Sequence, residues 1–174
     1  AYVGNFGFDL HGGADVTTAE LIQVEPDGQA RIVDRSLVFP NGSAITPDGR
    51  RLLVAETFGH RIRAFDLDRA GVTGENHVWA ELDDMTPDGL CLDADNAVWI
   101  ASPGTRSLTR VKQGGVSLDR CETAGTPYAC MLGGADRRTL FVCSSETDDP
   151  AEAARRRSGR IESTRVGAPG AGLP

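Results

Sequence analysis

No stretch of this chain approaches the roughly 20 consecutive apolar residues that a membrane-spanning helix needs, so no membrane partner is expected. A basic excess is missing as well. The 174 residues carry a formal charge of −7, the wrong sign for a nucleic-acid footprint and one compatible with carboxylates gathered around a cation. Cysteine is sparse and unpatterned: Cys91, Cys121, Cys130 and Cys143 form no C-x-x-C pair, and no His lies at zinc-like spacing. Three of the four sit in apolar runs (LCLD, YACML, LFVCSS) and read as buried small hydrophobes, which suits a reducing, cytoplasmic setting. His11-Gly12-Gly13 has no G-x-S-x-G elbow to accompany it, so a serine hydrolase lacks its nucleophile. Asp93-Ala94-Asp95-Asn96 is no EF-hand, because Val98 stands where the loop needs Gly and Gly104 where it needs Glu. What remains is ordinary globular material: 40% hydrophobic and 25% charged residues, in a chain long enough for one domain with a sizeable core.

The organisation is repetitive. Pro40-Asn41-Gly42 aligns with Pro87-Asp88-Gly89, and LLVA (Leu52 to Ala55) then meets VWIA (Val98 to Ala101). PYACMLGGADRRTLFVCSS, from Pro127, is a third copy, and AYVGNFG followed by AELIQVEPDG is a truncated one at the front. RIRAFDLDRAG, SLTRVKQGG and RIESTRVGAPG fill the third-strand slot of successive units. The strands are rich in Val, Ile, Leu, Phe and Trp and are bounded by turn residues. Units of about 40–50 residues with several short strands each are the mark of propeller blades. The chain therefore reads as a single all-β domain over residues 1–174, with repeats starting near 1, 41, 88 and 128. About three to three and a half blades cannot close a ring, and an open arc leaves unpaired edges. The expectation is three consecutive four-stranded blades, folded only with an N-terminal complement from the same chain or a partner.

Asn-Gly before alternating apolar residues reads first as a turn. Yet Asn41 and Asp88 occupy the same repeat slot, and two oxygen donors facing one axis suit a hard cation. Tyr128 holds that slot in the third copy, so not every blade contributes a ligand. Without Cys or His nearby, such donors favour Ca²⁺, Mg²⁺ or Mn²⁺, and Zn²⁺ tolerates oxygen ligands too.

In order along the chain, YVGNFGFDL, FPNGSAITPDGRRLLVAET, RIRAFDLD, TPDGLCLDADNAVWIA, ACMLGGADRRTLFVC and GRIESTRVGAPGAG resemble the regucalcin (senescence marker protein)/gluconolactonase family of six-bladed propellers, specifically its C-terminal half. The resemblance implies a calcium-dependent lactonase that opens a sugar-acid lactone such as an aldonolactone. It implies Asn41 and Asp88 as metal ligands, Asp88 as catalytic base, and Asp9, with Asn5 nearby, as the substrate-binding acidic site. The family's remaining ligands, a Glu and an Asn, would lie N-terminal to Ala1.

Other readings compete with this one. A non-catalytic propeller binding calcium or a partner is the main alternative; an enzyme of the strictosidine-synthase type is a third, against which the Pro87-Asp88-Gly89 aspartate argues. Glu56, after an apolar strand, is a weaker candidate for the channel. Trp79 and Trp99 read as blade-packing residues, His60 and His77 as surface residues, and PAEAARRR (Pro150 to Arg157) as a short polar helix in a loop.

Overall fold

A computed structural model of the chain describes residues 1–172. Four antiparallel meander sheets follow one another along the chain. The first holds β1 (Tyr2–Val3), β2 (Ala19–Val24) and β3 (Ala30–Leu37); the second β4 (Pro40–Ile45), β5 (Arg51–Glu56), β6 (Arg61–Asp68) and β7 (Gly71–Glu81). In the third are β8 (Leu90–Leu92), β9 (Val98–Ser102), β10 (Ser107–Val111) and β11 (Ser117–Glu122); in the fourth β12 (Thr126–Gly133), β13 (Thr139–Ser145) and β14 (Arg160–Arg165). One short helix, α1 (Pro150–Arg156), interrupts the last sheet; Asp149 caps it, and Arg155 and Arg156 pair with Glu152 on its exposed side.

Burial patterns show how these blades stack. β5 and β9, RLLVAE and VWIAS, are buried on both faces, as strands sandwiched between neighbours must be. Period-two alternation divides their side chains between the two interfaces. Leu52 and Val54 pack toward the first sheet with Leu21, Leu37 and Phe65, while Leu53 and Ala55 pack toward the third with Val98 and Ile100. Trp99 and Ala101 turn the other way, onto Cys130, Leu140 and Val142 of the fourth sheet. Each fully buried Leu or Ile contributes roughly 1.5–3 kcal/mol at these interfaces. Both tryptophans are thus blade-packing residues.

The outer sheets differ. β2 and β13 alternate buried with more exposed positions, because only one face of each has a neighbour. Val3 and Ile32 on the first sheet, and Met131, Phe141 and Ile161 on the fourth, are exposed large hydrophobics. Cys143 lies beside them and is exposed too, so the apolar run LFVCSS misleads: it is buried only at alternate residues. Cys91 and Cys130 are buried as expected, 3.8 Å apart between their sulfurs.

Blade content also departs from expectation. Among the described residues two sheets have four strands and two have three, and no strand pairs with the free edge of β1 or of β14. AYVGNFGF is a strand only at Tyr2–Val3; Phe6 and Phe8 leave it to join an aromatic cluster.

Asn41-Gly42 is not a turn. It lies within β4, where Pro40 pairs with Glu56 and Ser43 with Val54, so one extra residue bulges out. β12 has the same shift at Tyr128, between Pro127 and Ala129. In the third sheet Asp88 N donates to Ala101 O while Ala101 N donates to Gly89 O, again two residues opposite one. The glycines serve interblade contact: Gly42 N donates to Asp88 O at 3.1 Å and Gly89 N to Tyr128 O at 2.9 Å. A Cβ on Gly89 would stand 2.6 Å from Ala129 Cα. The tetrapeptide TPDG therefore does two jobs. At Thr46–Gly49 it is a real turn, with Gly49 at φ +69° and open space around it; at Thr86–Gly89 it begins an inner strand, and Gly89 has no left-handed backbone. Gly49→Ala should cost about 1–2 kcal/mol, the left-handed penalty alone, whereas Gly89→Ala, forcing backbone apart, should cost about 3 kcal/mol or more. Urea midpoints measure both, and the reverse order would refute the assignment.

Candidate active site

The bulges aim side chains. A β-bulge re-orients the residue it inserts, and here Asn41, Asp88 and Tyr128 all line one cleft of 680 Å³. Its polar side includes Thr57, Thr86 and Thr126; Glu146 and Asp148 stand on the loop before α1, and His11 completes the rim. Among the described residues lining the cleft there is no Lys or Arg.

Asn41 is held from behind. Its amide nitrogen donates to Thr57 Oγ1 at 3.2 Å, and Thr57 Oγ1 donates to Pro87 O at 2.8 Å. One short chain of bonds thus ties the second inner strand to the third beside Asp88. Burial pushes the Asp88 carboxyl up to about 6, a rise only partly offset by hydrogen bonds from Asn41 and the Gly89 amide. The Tyr128 phenol is also raised, first by burial and then by Asp148, with Asp88 contributing; it is a neutral hydrogen-bond donor at physiological pH.

A half-buried carboxylate beside an amide oxygen donor, with no cation opposite, has the chemistry of part of a hard-cation site. Two donors are fewer than the six to eight that Ca²⁺ takes. Among the described residues no group of three or more His, Cys, Asp or Glu side chains is placed to hold a metal. Asp9 and Asn5 do not line this cleft: the Asp9 carboxylate accepts from Gly12 N at 2.8 Å, and the Asn5 amide donates to Glu20 O at 3.2 Å. Glu56 faces elsewhere. Fully buried, it is clamped by Arg61 Nε and Arg63 Nε, each at 2.8 Å, and accepts from Val38 N. Asp93 and Asp95 are turn residues paired with Arg110. Thr57, Thr86, Thr126, Glu146 and Asp148 are cleft residues that pattern reading passed over, and His11 was read only against an esterase loop; the position of Thr57 directly after the strand LLVAE was the available signal for the first.

The family model for the SMP-30/gluconolactonase/LRE-like region matches residues 1–146. The chain belongs to this family. It is 28% identical over 166 residues to 6-deoxy-6-sulfogluconolactonase from Pseudomonas putida, covering 92% of this chain and 57% of that protein. Regucalcin from Danio rerio is 27% identical over 157 residues, covering 87% and 52%. Among solved structures, the calcium-binding protein regucalcin from Agrobacterium tumefaciens superposes with a TM-score of 0.74 at 23% identity, covering 90% of this chain and 55% of that one. The chain thus spans about half the length of the relatives it matches. Its fold is that of a six-bladed all-β propeller, of which it supplies about three to three and a half blades. No helix among the described residues is long and apolar enough to cross a membrane.

The Asp88 shift has a stability consequence. Its folded-state value lies above the unfolded one, so the folded state holds the proton more tightly and ionisation opposes folding. That penalty grows as pH rises from about 4 to about 6 and is complete above it. In chelator, Asp88→Asn should therefore be more stable than the parent at pH 8, by up to about 3 kcal/mol, and equally stable at pH 4. Scanning calorimetry across that range checks it; a variant less stable at pH 8 would contradict the account.

Proposed function

We propose that the complete protein is a metal-dependent lactonase, opening the ring of a sugar-acid lactone such as an aldonolactone, and that this chain supplies the C-terminal half of its propeller. The observation that carries the reading is the convergence of Asn41 and Asp88 from successive inner strands on one cleft, in a family whose relatives include a sulfogluconolactonase. Asn41 and Asp88 would hold the cation, most simply Ca²⁺, given that a solved relative is a calcium-binding protein; Mg²⁺, Mn²⁺ and Zn²⁺ are substitutes. A bound divalent cation supplies Lewis-acid polarisation of the lactone carbonyl.

The chain's own groups account for the rest. Asp88 is ionised at neutral pH and, with a carboxyl near 6, basic enough to draw a proton from the attacking water. A cation beside it lowers that basicity, which shifts the role of Asp88 toward orienting the water. Water adds to the carbonyl carbon, the ring C–O bond breaks, and the ring oxygen takes up a proton, leaving a hydroxy acid. Asn41, fixed by Thr57, keeps the donor geometry from relaxing. Asp9 and Asn5 are proposed as substrate contacts on the first blade, reached once the inner strand beside β1 is present.

The rest of the ring comes from an N-terminal complement, on the same chain or a partner, that covers the apolar faces at Val3/Ile32 and Met131/Phe141/Ile161. In the complete protein, Asp88→Asn should retain measurable calcium binding by calorimetry yet lower aldonolactone turnover by about 100-fold or more, and chelation should abolish turnover in the parent. Turnover unchanged in that variant would remove Asp88 from the mechanism; hydrolysis absent with and without chelator would favour a binding propeller.

A further inference from the structure

Asn41, Asp88 and Tyr128 hold one slot in successive inner strands and line one cleft, yet the cation takes only the first two. What aims Tyr128 lies wholly within this chain. Pro127 pairs with Ser144 and Ala129 with Cys143, so Tyr128 is the residue that the ladder between β12 and β13 leaves out. Its carbonyl accepts from Gly89 N at 2.9 Å, which holds its backbone against the residue next to Asp88. Neither contact involves the free edge of β1 or of β14.

A tyrosine in that slot is chemically unlike its neighbours. Hard cations take carboxylate, carbonyl and water oxygens from a protein site, and a neutral phenol is none of these. What the phenol offers is one O–H donor beside an acceptor oxygen. Thr126, at the start of β12, hydrogen-bonds the phenol oxygen, and the Asp88 and Asp148 carboxylates are close enough to act on it. A phenol among carboxylates keeps its proton. From blade to blade, the slot therefore presents an amide oxygen, a carboxylate and then a hydroxyl donor.

We propose that Tyr128 is a further catalytic residue of lactone opening, its hydroxyl donating a hydrogen bond to the ring oxygen that leaves. The inference rests on the lactonase reading of the same cleft and adds the leaving-group side of the reaction. The carbonyl oxygen and the ring oxygen share one carbon, so a carbonyl placed beside Asn41 and Asp88 keeps the ring oxygen close to both. Asn41 flanks Asp88 on the one side, and Tyr128 flanks it on the other. Water adds to the carbonyl carbon, and the ring C–O bond then breaks with its electron pair staying on oxygen. The Tyr128 O–H meets that developing charge, as the donors of an oxyanion hole do. The departing oxygen takes up a proton released by the water, so Tyr128 keeps its own.

The test uses the complete protein and two lactones with the same hydroxyls: glucono-δ-lactone and its thio analogue, which has sulfur in place of the ring oxygen. A thiol ionises near about 8.5, so a thiolate departs with little help from a donor. Tyr128→Phe keeps the ring and loses only the hydroxyl. It should lower kcat on glucono-δ-lactone by about 100-fold, with KM within about twofold. On the thiolactone its kcat should stay within about threefold of the parent. Calcium affinity by calorimetry should be unchanged, since Tyr128 is no ligand. Equal losses on the two lactones, or weakened calcium binding, overturn the proposal. So does a loss confined to KM, which assigns the phenol to a sugar hydroxyl instead. If parent and variant open glucono-δ-lactone equally well, Tyr128 has no catalytic role and the lactonase reading stands. A parent that opens neither lactone removes that reading and this proposal with it.

Discussion

Two backbone hydrogen bonds, Gly42 N to Asp88 O and Gly89 N to Tyr128 O, set the distance between successive inner strands. Everything at the cleft depends on that distance. It is short because a glycine follows each donor-slot residue in the second and third blades, and a Cβ there would enter the neighbouring backbone. Tyr128 is followed by Ala129 instead, and no further inner strand packs against it among the described residues. The close approach also brings one blade's donor within reach of the next, which is how Asn41 comes to hydrogen-bond Asp88.

The bulges convert that proximity into chemistry. In a regular ladder, alternate residues of an inner strand would point into the two flanking blades. The extra residue at Asn41, Asp88 and Tyr128 frees each side chain from the blade interfaces and turns it to the cleft. The cost is a carboxylate partly out of water without a positive partner, visible in the raised Asp88 carboxyl. Glu56 offers the contrast: it is more deeply buried, but two arginines and a backbone amide satisfy it, and it serves to anchor the start of the blade. Position relative to the bulge, more than acidity, separates the carboxylate that faces the cleft from the one that serves the blade.

Much of this was legible in the residues. The repeat of Pro-x-Gly gave the period of the blades, although it reads as a turn; LLVA and VWIA read as apolar strands, and the shared slot of Asn41 and Asp88 pointed to one axis. Other features were not. Thr46–Gly49 and Thr86–Gly89 are the same tetrapeptide, and only tertiary contact decides which is a turn and which a strand start. Cys143 reads as buried because composition cannot tell an end blade, bare on one face, from a central one. The Phe6–Phe39 stack joins residues 33 positions apart in the chain, and exists only once the first two blades are packed.

The central claim is that Asn41 and Asp88 converge to receive one cation. A crystal structure of the complete protein soaked in Mn²⁺, an anomalous scatterer that accepts the same oxygen donors, tests it most directly. The account predicts a single strong peak in this cleft, in direct coordination at about 2–2.6 Å from the Asn41 carbonyl oxygen and an Asp88 carboxylate oxygen. A cation bound elsewhere, with Asp88 still hydrogen-bonded to the Asn41 amide, would contradict it.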